Sequence, residues 1–311
     1  MNNPFEYSNT NLRYHSLSYY FKQKYNSKVV KIALDANFTC PNRDGKCGYG
    51  GCTFCSSEGS GEFAGNKEND LLLQYTNIKT KMSAKWPTAK TVPYFQAYTS
   101  TYGPLSKIVE MVEPFLKMKE VVAIDIATRP DCLDDDVIVY LQSLTKTKDI
   151  WIELGLQTIY DQSAKEFNRG YDYEVFLDAV LRLSKTDINI CVHLINGLVN
   201  ESAAMMINSA KTIGKLPIHA VKIHMLHLLK DSKLGQDYLK SPFNILSKDD
   251  YVSIVASQLE VIPKNIVIQR LTGDAQKDKL IVPKWTLKKF VVLNDIQKKL
   301  VLRNSFQGKL V

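Results

Sequence analysis

Cys40-Pro-Asn-Arg-Asp-Gly-Lys-Cys47-Gly-Tyr-Gly-Gly-Cys52-Thr-Phe-Cys55 holds four of the chain's six cysteines within sixteen residues. Just before it, Val29-Val-Lys-Ile-Ala-Leu34 alternates and is rich in β-branched residues, the pattern of a strand. The cysteines therefore sit on a loop leaving a strand end. Its glycines let the backbone wrap tightly, and Asn42, Arg43 and Asp44 add turn chemistry. Clustered thiolates on such a loop hold a soft metal or an iron–sulfur cluster.

Zinc is one reading. A four-thiolate zinc site uses two Cys-x-x-Cys pairs, and only Cys52-Thr-Phe-Cys55 is such a pair. Cys40 and Cys47 are seven apart, and no second knuckle follows. A site that uses three of the cysteines leaves one coordination position open.

At 311 residues, 45% hydrophobic and 23% charged, the chain suffices for one large α/β domain plus a small appendage. No window approaches the ~18 continuous apolar residues of a membrane span. The start, Met1-Asn-Asn-Pro-Phe-Glu6, lacks the order of a signal peptide. The expected location is cytoplasmic, with no membrane partner. Thiols stay reduced there, so six cysteines argue for metal chemistry over disulfides. A net charge of +8 and a pI near 9.0 favour acidic partners, nucleic acid among them, although a lysine-rich proteome also makes enzymes basic.

Along the chain, Arg13 to Lys22 reads as a short helix covering one end of the core. Strands follow at 29–34, 92–98, 121–127, 149–156, 188–195 and 220–224. Helices alternate with them at 70–85, 104–118, 134–144, 173–184 and 201–213. This rhythm points to parallel β/α architecture, without separating a barrel from a doubly wound sheet. After about Leu228 the rhythm changes to a helix at 251–260, a strand at 266–269 and a lysine-rich helix at 285–300. The expected division is an N-terminal extension over 1–28, the main domain over 29–227, and a C-terminal extension over 228–311.

Cys40-Pro-Asn-Arg-Asp-Gly…Gly-Gly-Cys52-Thr-Phe-Cys55 closely resembles the cluster loop of the YhcC/YtqA-type branch of the radical S-adenosylmethionine (radical SAM) enzymes. That branch is similar to the radical SAM domain of the Elongator catalytic subunit. The resemblance implies a [4Fe-4S] cluster held by Cys40, Cys52 and Cys55, with the fourth iron open to the amino and carboxylate groups of SAM. Cys47 falls where the family carries no cysteine and is left out of the ligand set. The implied fold is a partial six-stranded (β/α)6 barrel, open on one side, with a small C-terminal α+β extension. The implied chemistry is one-electron cleavage of SAM to a 5′-deoxyadenosyl radical that abstracts a substrate hydrogen. An electron donor such as flavodoxin or ferredoxin is then a partner.

In parallel α/β folds reactive groups gather at the C-terminal strand ends. After the second strand, Tyr98, Thr99 and Thr101 stand where many radical SAM enzymes carry a Gly-Gly-Glu stretch for the SAM amino group. Backbone carbonyls and hydroxyls are expected to serve instead. Arg129 suits a carboxylate or phosphate, or an ion pair with Asp131 or Glu153. Glu153 is an acid inside an apolar strand, which needs a partner or a job. By the resemblance, Glu153 and Gln157 lie beside SAM, Arg169 reaches its carboxylate, and Asn196 belongs to the stretch that approaches its adenine. His193 reads as a satisfied interior histidine. His224 and His227 form a His-x-x-His pair with no evident third metal ligand, and are expected to face substrate. Arg270 and Asp274 either close over the substrate or fix the extension by a salt bridge.

The Elongator-like relationship and the basic charge point to tRNA, at the C5 substituent of the wobble uridine. Because the chain stops at residue 311, an acetyltransferase domain is not expected. Remodelling an existing substituent, such as carboxymethylaminomethyl to aminomethyl, suits a stand-alone barrel. The alternatives are a radical SAM enzyme acting on a small metabolite or peptide, and a zinc-stabilised RNA-binding protein without catalysis.

Overall fold

The computed structural model describes residues 5–311, so Met1–Pro4, the start of the expected N-terminal extension, lie outside the described residues. In chain order the elements are α1 (Leu17–Tyr25), β1 (Val29–Leu34), α2 (Leu71–Ser83), β2 (Lys90–Phe95), α3 (Leu105–Leu116), β3 (Ala123–Thr128), α4 (Asp135–Leu144), β4 (Asp149–Gln157), α5 (Asp161–Glu166), α6 (Tyr173–Leu183), β5 (Asn189–Asn196), α7 (Ala203–Ile213), β6 (Ala220–Met225), β7 (Leu228–Leu229), α8 (Lys233–Lys240), α9 (Lys248–Val261), β8 (Val267–Arg270), β9 (Leu280–Val282) and α10 (Lys289–Leu302). Helix starts follow ordinary capping chemistry. The side chains of Ser16, Asp70, Ser202 and Ser247 each accept from the N–H three residues on.

Seven strands pair in the order β1-β2-β3-β4-β5-β6-β8, all parallel, and the sheet curls into a half-barrel. The outward face carries Ile124, Ile126, Ile150, Ile152 and Ile190 against Phe115, Leu141, Phe176 and Val180 of the helices. Burial on both faces explains why the strands read as nearly continuous apolar runs.

The inward face is layered, because residues two apart share a face. Val29, Val92, Ala123, Trp151, Cys191, Ala220 and Val267 form an apolar layer with Phe21 of α1. Tyr20 and Phe21 meet Trp151 edge-on at 6.0 and 6.5 Å, so α1 plugs the N-terminal mouth of the half-barrel. Two residues further along these strands the layer is polar: Lys31, Tyr94, Asp125, Glu153, His193, Lys222 and Gln269. It forms the floor of the open mouth.

The sheet has seven strands where six were expected. The seventh, β8, comes from the stretch read as an appended extension and pairs with β6 through Ala220–Val267 and Val221–Ile268. The final helix also starts later than its periodicity suggests. Lys284–Leu287 form a 3-10 turn, and α10 begins at Lys289. Tertiary contacts fix this break, since the Trp285 indole donates to the Leu246 carbonyl at 3.2 Å and packs on Tyr251. Helices α5 and α8 and the antiparallel β7–β9 pair are too short to be read from the sequence.

Asn196, at the end of β5, exchanges two hydrogen bonds with Gln258 of α9, at 2.8 and 2.9 Å, in full burial. Asn196→Ala leaves the Gln258 amide buried and half-paired. It is expected to cost about 1–3 kcal/mol, seen as a lower denaturant midpoint at unchanged slope. SAM binding per folded molecule should stay at the parent level; a selective loss of SAM binding at unchanged stability contradicts this structural role.

Candidate cluster and cofactor site

The C-terminal strand ends open into a cavity of ≈ 760 Å³. The cysteine loop walls it on one side. On the other stand β6, β8 and the segment from Gly273 to Lys289.

Cys40, Cys52 and Cys55 all line this cavity; Cys47 does not, and it is exposed. The loop is tied down from below. Asn168 Nδ2 donates to the Gly51 carbonyl at 2.9 Å, Thr53 N–H to the Phe167 carbonyl at 2.9 Å, and Phe54 stacks against Phe167 at 5.3 Å. Gly51 has φ +80°, a turn that a side chain would strain. Cys52 and Cys55 share a hydrogen bond, which raises the first thiol well above its ordinary value and lowers the second. All six cysteines are free of disulfides. Three convergent thiols with Arg43 on the cavity wall match the donor set of a three-cysteine iron–sulfur site, and they leave a fourth position to another ligand.

Next to the loop, Tyr98 and Gln157 both adopt the left-handed region, φ 55° and 66°. Such backbone in non-glycine residues costs free energy and concentrates at ligand sites. The Tyr98 hydroxyl donates to the Ser57 carbonyl at 2.6 Å, and its ring lies over Gly59, where an added Cβ would come within 2.3 Å. Gln157 lines the cavity, and its buried Oε1 has no partner among the described residues. An orphaned acceptor there fits the hydroxyl or ammonium donors of SAM. Thr99 is buried and lines the cavity.

Other residues expected at the cofactor have their side chains committed to the protein. Thr101 bonds Thr128 and the Cys132 carbonyl, and lies outside the cavity lining. Arg169 lines the cavity but donates to the carbonyls of Tyr171, Leu156 and Thr158 and to Asp161. Asn196 is spent on Gln258 and lies outside the lining. Arg129 forms a two-pronged pair with Asp131 at 2.8 and 2.9 Å, and its Nη2 donates to Cys47 Sγ at 3.5 Å.

Glu153 is fully buried at the floor. Oε1 accepts from Lys31 at 2.8 Å; Oε2 accepts from Lys222 and meets His193 Nε2 at 2.8 Å. Burial alone would raise its carboxyl, but Lys222, Lys31 and His193 together hold it well below the ordinary range. Lys31 also grips Asp125 and donates to Gln269 Oε1 at 2.6 Å. That contact joins β1 and β8, the two outer edges of the sheet, and so closes the curl without strand pairing. Burial and the neighbouring Glu153 push Asp125 up to about 7. His193 bonds Glu153 through Nε2, as a satisfied histidine does, and its ring also lines the cavity. Lys31, Tyr94, Asp125, Lys222 and Gln269 were missed. Their signal was a single polar residue inside each apolar strand, one turn of the pleat before the mouth.

His224 and His227 both line the cavity, and burial lowers both, His227 to about 4, so both are neutral at pH 7. His227 Nε2 meets Thr286 Oγ1 at 3.1 Å. Arg270 pairs with Asp274 at 3.5 Å, and Lys289 grips the same carboxylate at 2.7 Å. Among the described residues, the metal-donor group with ligand atoms within 4.8 Å of one another is Glu153, Cys191 and His193. Lys31 and Lys222 already neutralise Glu153 there, which disfavours a cation.

Glu153→Gln leaves the buried Lys222 ammonium without an anion, while Lys31 keeps Asp125, and should cost about 3–5 kcal/mol by denaturant unfolding. Asp125 gives a pH test. A carboxyl raised on folding holds more protons in the folded state between the ordinary value and about 7. Its contribution to stability therefore falls as pH rises from about 4 to about 7. Parent stability minus that of Asp125→Asn should fall over that window and level off above it; a difference independent of pH contradicts the assignment.

Comparison with known proteins gives the rest. The sequence profile of the Radical SAM superfamily matches residues 44–213, and that of the Radical_SAM C-terminal domain matches residues 218–301. YtqA of Bacillus subtilis, an uncharacterised protein, is 46% identical over 308 residues, covering 99% of this chain and 96% of YtqA. A tRNA uridine(34) acetyltransferase of Methanocaldococcus infernus is 25% identical over 156 residues, covering 49% of this chain and 29% of that protein. Among solved structures, archaeal Elp3 of Methanocaldococcus infernus superposes with a TM-score of 0.63 at 19% identity, covering 88% of this chain and 63% of that one. Members of the superfamily use a [4Fe-4S] cluster and S-adenosylmethionine, which replaces the zinc reading of the cysteine loop. No helix among the described residues is long and apolar enough to cross a membrane. A half-barrel with three thiols at its open mouth, matched by that profile over more than half its length, makes this chain a member of the Radical SAM superfamily, in the branch that contains YtqA.

Proposed function

We propose that this radical SAM enzyme remodels the C5 substituent of the wobble uridine in tRNA, converting carboxymethylaminomethyl to aminomethyl. Loss of a hydrogen atom and then an electron from the glycyl carbon leaves an imine, water hydrolyses its C–N bond, and the two-carbon unit departs as glyoxylate, with SAM consumed as the oxidant. The match to tRNA uridine(34) acetyltransferases over 49% of the chain is the observation that supports the wobble uridine as substrate. The likeness to Elp3 in fold and the net charge of +8 are consistent with it.

Cys40, Cys52 and Cys55 hold the cluster, and Tyr98, Thr99 and Gln157 contact SAM. When bound, cluster and SAM together supply a hydrogen-abstracting radical. The chain's own task is to orient the substrate and keep water out. The apolar layer and α1 seal the floor, so substrate enters only from the mouth. The neutral His224 and His227 and the charged Arg270 meet it there. Glu153 acts as the positioning residue that holds Lys31, Lys222 and His193 in place. A flavodoxin- or ferredoxin-type carrier delivers the electron.

The tRNA lies along the C-terminal lysines. Lys284, Lys288 and Lys298 are exposed; Lys289 and Lys299 are partly covered, Lys289 by its pair with Asp274.

Cluster loading separates the cysteines. Cys40→Ala, Cys52→Ala and Cys55→Ala should each lose iron after anaerobic reconstitution, while Cys47→Ala keeps the parent's iron and its absorbance near 400 nm. Equal loss in Cys47→Ala contradicts the ligand set. The substrate is tested by turnover: with reductant and SAM, tRNA bearing the carboxymethylaminomethyl group should raise 5′-deoxyadenosine formation and gain aminomethyluridine. Unmodified product tRNA overturns the reading. Binding of tRNA should weaken by roughly 0.7–0.9 log units per log unit of salt for each phosphate neutralised. Lys288→Glu/Lys298→Glu should bind more weakly with a shallower salt slope, and still cleave SAM without substrate.

A further inference from the structure

We infer that the β6–β8 wall of the cavity is a carboxylate seat, built from His224, Gln269 and Arg270, which receives the acidic end of the substrate's substituent. The inference rests on the proposed wobble-uridine reading and goes beyond it by assigning residues to one chemical group.

Two buried nitrogens on this wall have no partner among the described residues, and Arg270 beside them has donors to spare. Gln269 Oε1 accepts from Lys31 at 2.6 Å, which fixes the orientation of the amide. Its Nε2 is then a buried donor with no partner among the described residues. His224 Nε2 is also buried without a partner and donates in the tautomer that carries its proton there; the ring is tilted 41° against His193 at 5.4 Å between centroids. Arg270 pairs with Asp274 at 3.5 Å, lines the cavity, and has a side chain about one third exposed. Buried donors without acceptors are rare in a folded protein, and they are satisfied by what binds.

Charge sets the ligand's sign. At the floor Lys31 and Lys222 face Glu153 and Asp125, and with the Asp125 carboxyl pushed up to about 7 the floor carries no net negative charge. On the wall Arg270 and Lys289 share the single carboxylate of Asp274, which leaves one positive charge uncompensated. One anion with two acceptor oxygens completes the set, and a carboxylate matches the planar fork of an arginine. Depth excludes the RNA backbone as its source. Gln269 touches Lys31 in the floor layer, so the group must hang from a base far enough to reach the bottom of the mouth.

The test is equilibrium binding to reconstituted, SAM-loaded enzyme without reductant. The probes are 5-carboxymethylaminomethyluridine and its carboxamide analogue, which lacks the charge. The parent should prefer the carboxylate by roughly tenfold, the scale of a charge-assisted hydrogen bond. Arg270→Gln should bind both probes alike, Arg270→Lys should keep part of the preference, and Gln269→Leu should weaken it severalfold. Parent-level iron and SAM binding in each variant show that it is folded. Equal binding of the two probes by the parent, including no measurable binding of either, overturns the seat. So does a preference that survives in Arg270→Gln. A parent that prefers the carboxylate nucleoside but leaves tRNA unchanged in turnover keeps the seat and removes the tRNA reading. Turnover of tRNA without any probe preference does the reverse.

Discussion

Lys31 is the interaction on which the rest of the structure depends. Its ammonium sits on β1, at one edge of the sheet, and donates to Gln269 on β8, at the other edge. Between them it reaches Asp125 and Glu153 on the middle strands. A seven-stranded parallel sheet twists but has no intrinsic reason to stop at this curvature. One buried lysine bound to both edges and the centre fixes it. Burying charge is costly unless it is paired, and here Glu153 lies between Lys31 and Lys222 while Asp125, its carboxyl raised by burial, faces Lys31. Hydrophobic residues of similar volume could fill the same space. They would not leave a polar floor beneath a water-filled mouth.

That floor divides the interior by chemistry. Below it, Trp151 and its neighbours are sealed by α1 and take no part in binding. Above it, the cavity has two unlike halves. The cysteine loop, the strained Tyr98 and Gln157 and the orphaned amide oxygen face one another on the side of β1, β2 and β4. Unpaired donors face inward on the side of β6 and β8. Soft thiols and acceptors on one side and donors on the other suit two different ligands placed side by side, as a cofactor-derived radical and its substrate require.

Much of this was legible in the sequence, for identifiable reasons. Strands buried on both faces leave long apolar runs, and helices with serine or aspartate caps declare their starts. The four clustered cysteines stood out because spacing is one-dimensional information, and the family resemblance picked Cys40, Cys52 and Cys55 among them. Lys31, Asp125 and Lys222 did not, since one charge in an apolar strand has no meaning until neighbouring strands are stacked in register. Of that layer, Glu153 and His193 alone were assigned a role. Arg169 and Asn196 show a different limit. A motif places a residue near a site, but the rotamer decides whether its donors reach inward or return to the backbone, as those of Arg169 do. Strand β8 was seen but assigned to an appendage, because its four residues carry no signal of which sheet they join.

The central claim is that a radical SAM barrel of this shape serves tRNA. Nucleoside mass spectrometry of tRNA from a strain lacking the gene tests it most directly. The expected result is loss of aminomethyl-type wobble uridines with accumulation of the carboxymethylaminomethyl form, restored by the parent gene and not by Cys52→Ala. A wobble-uridine profile identical to that of the parent strain contradicts it.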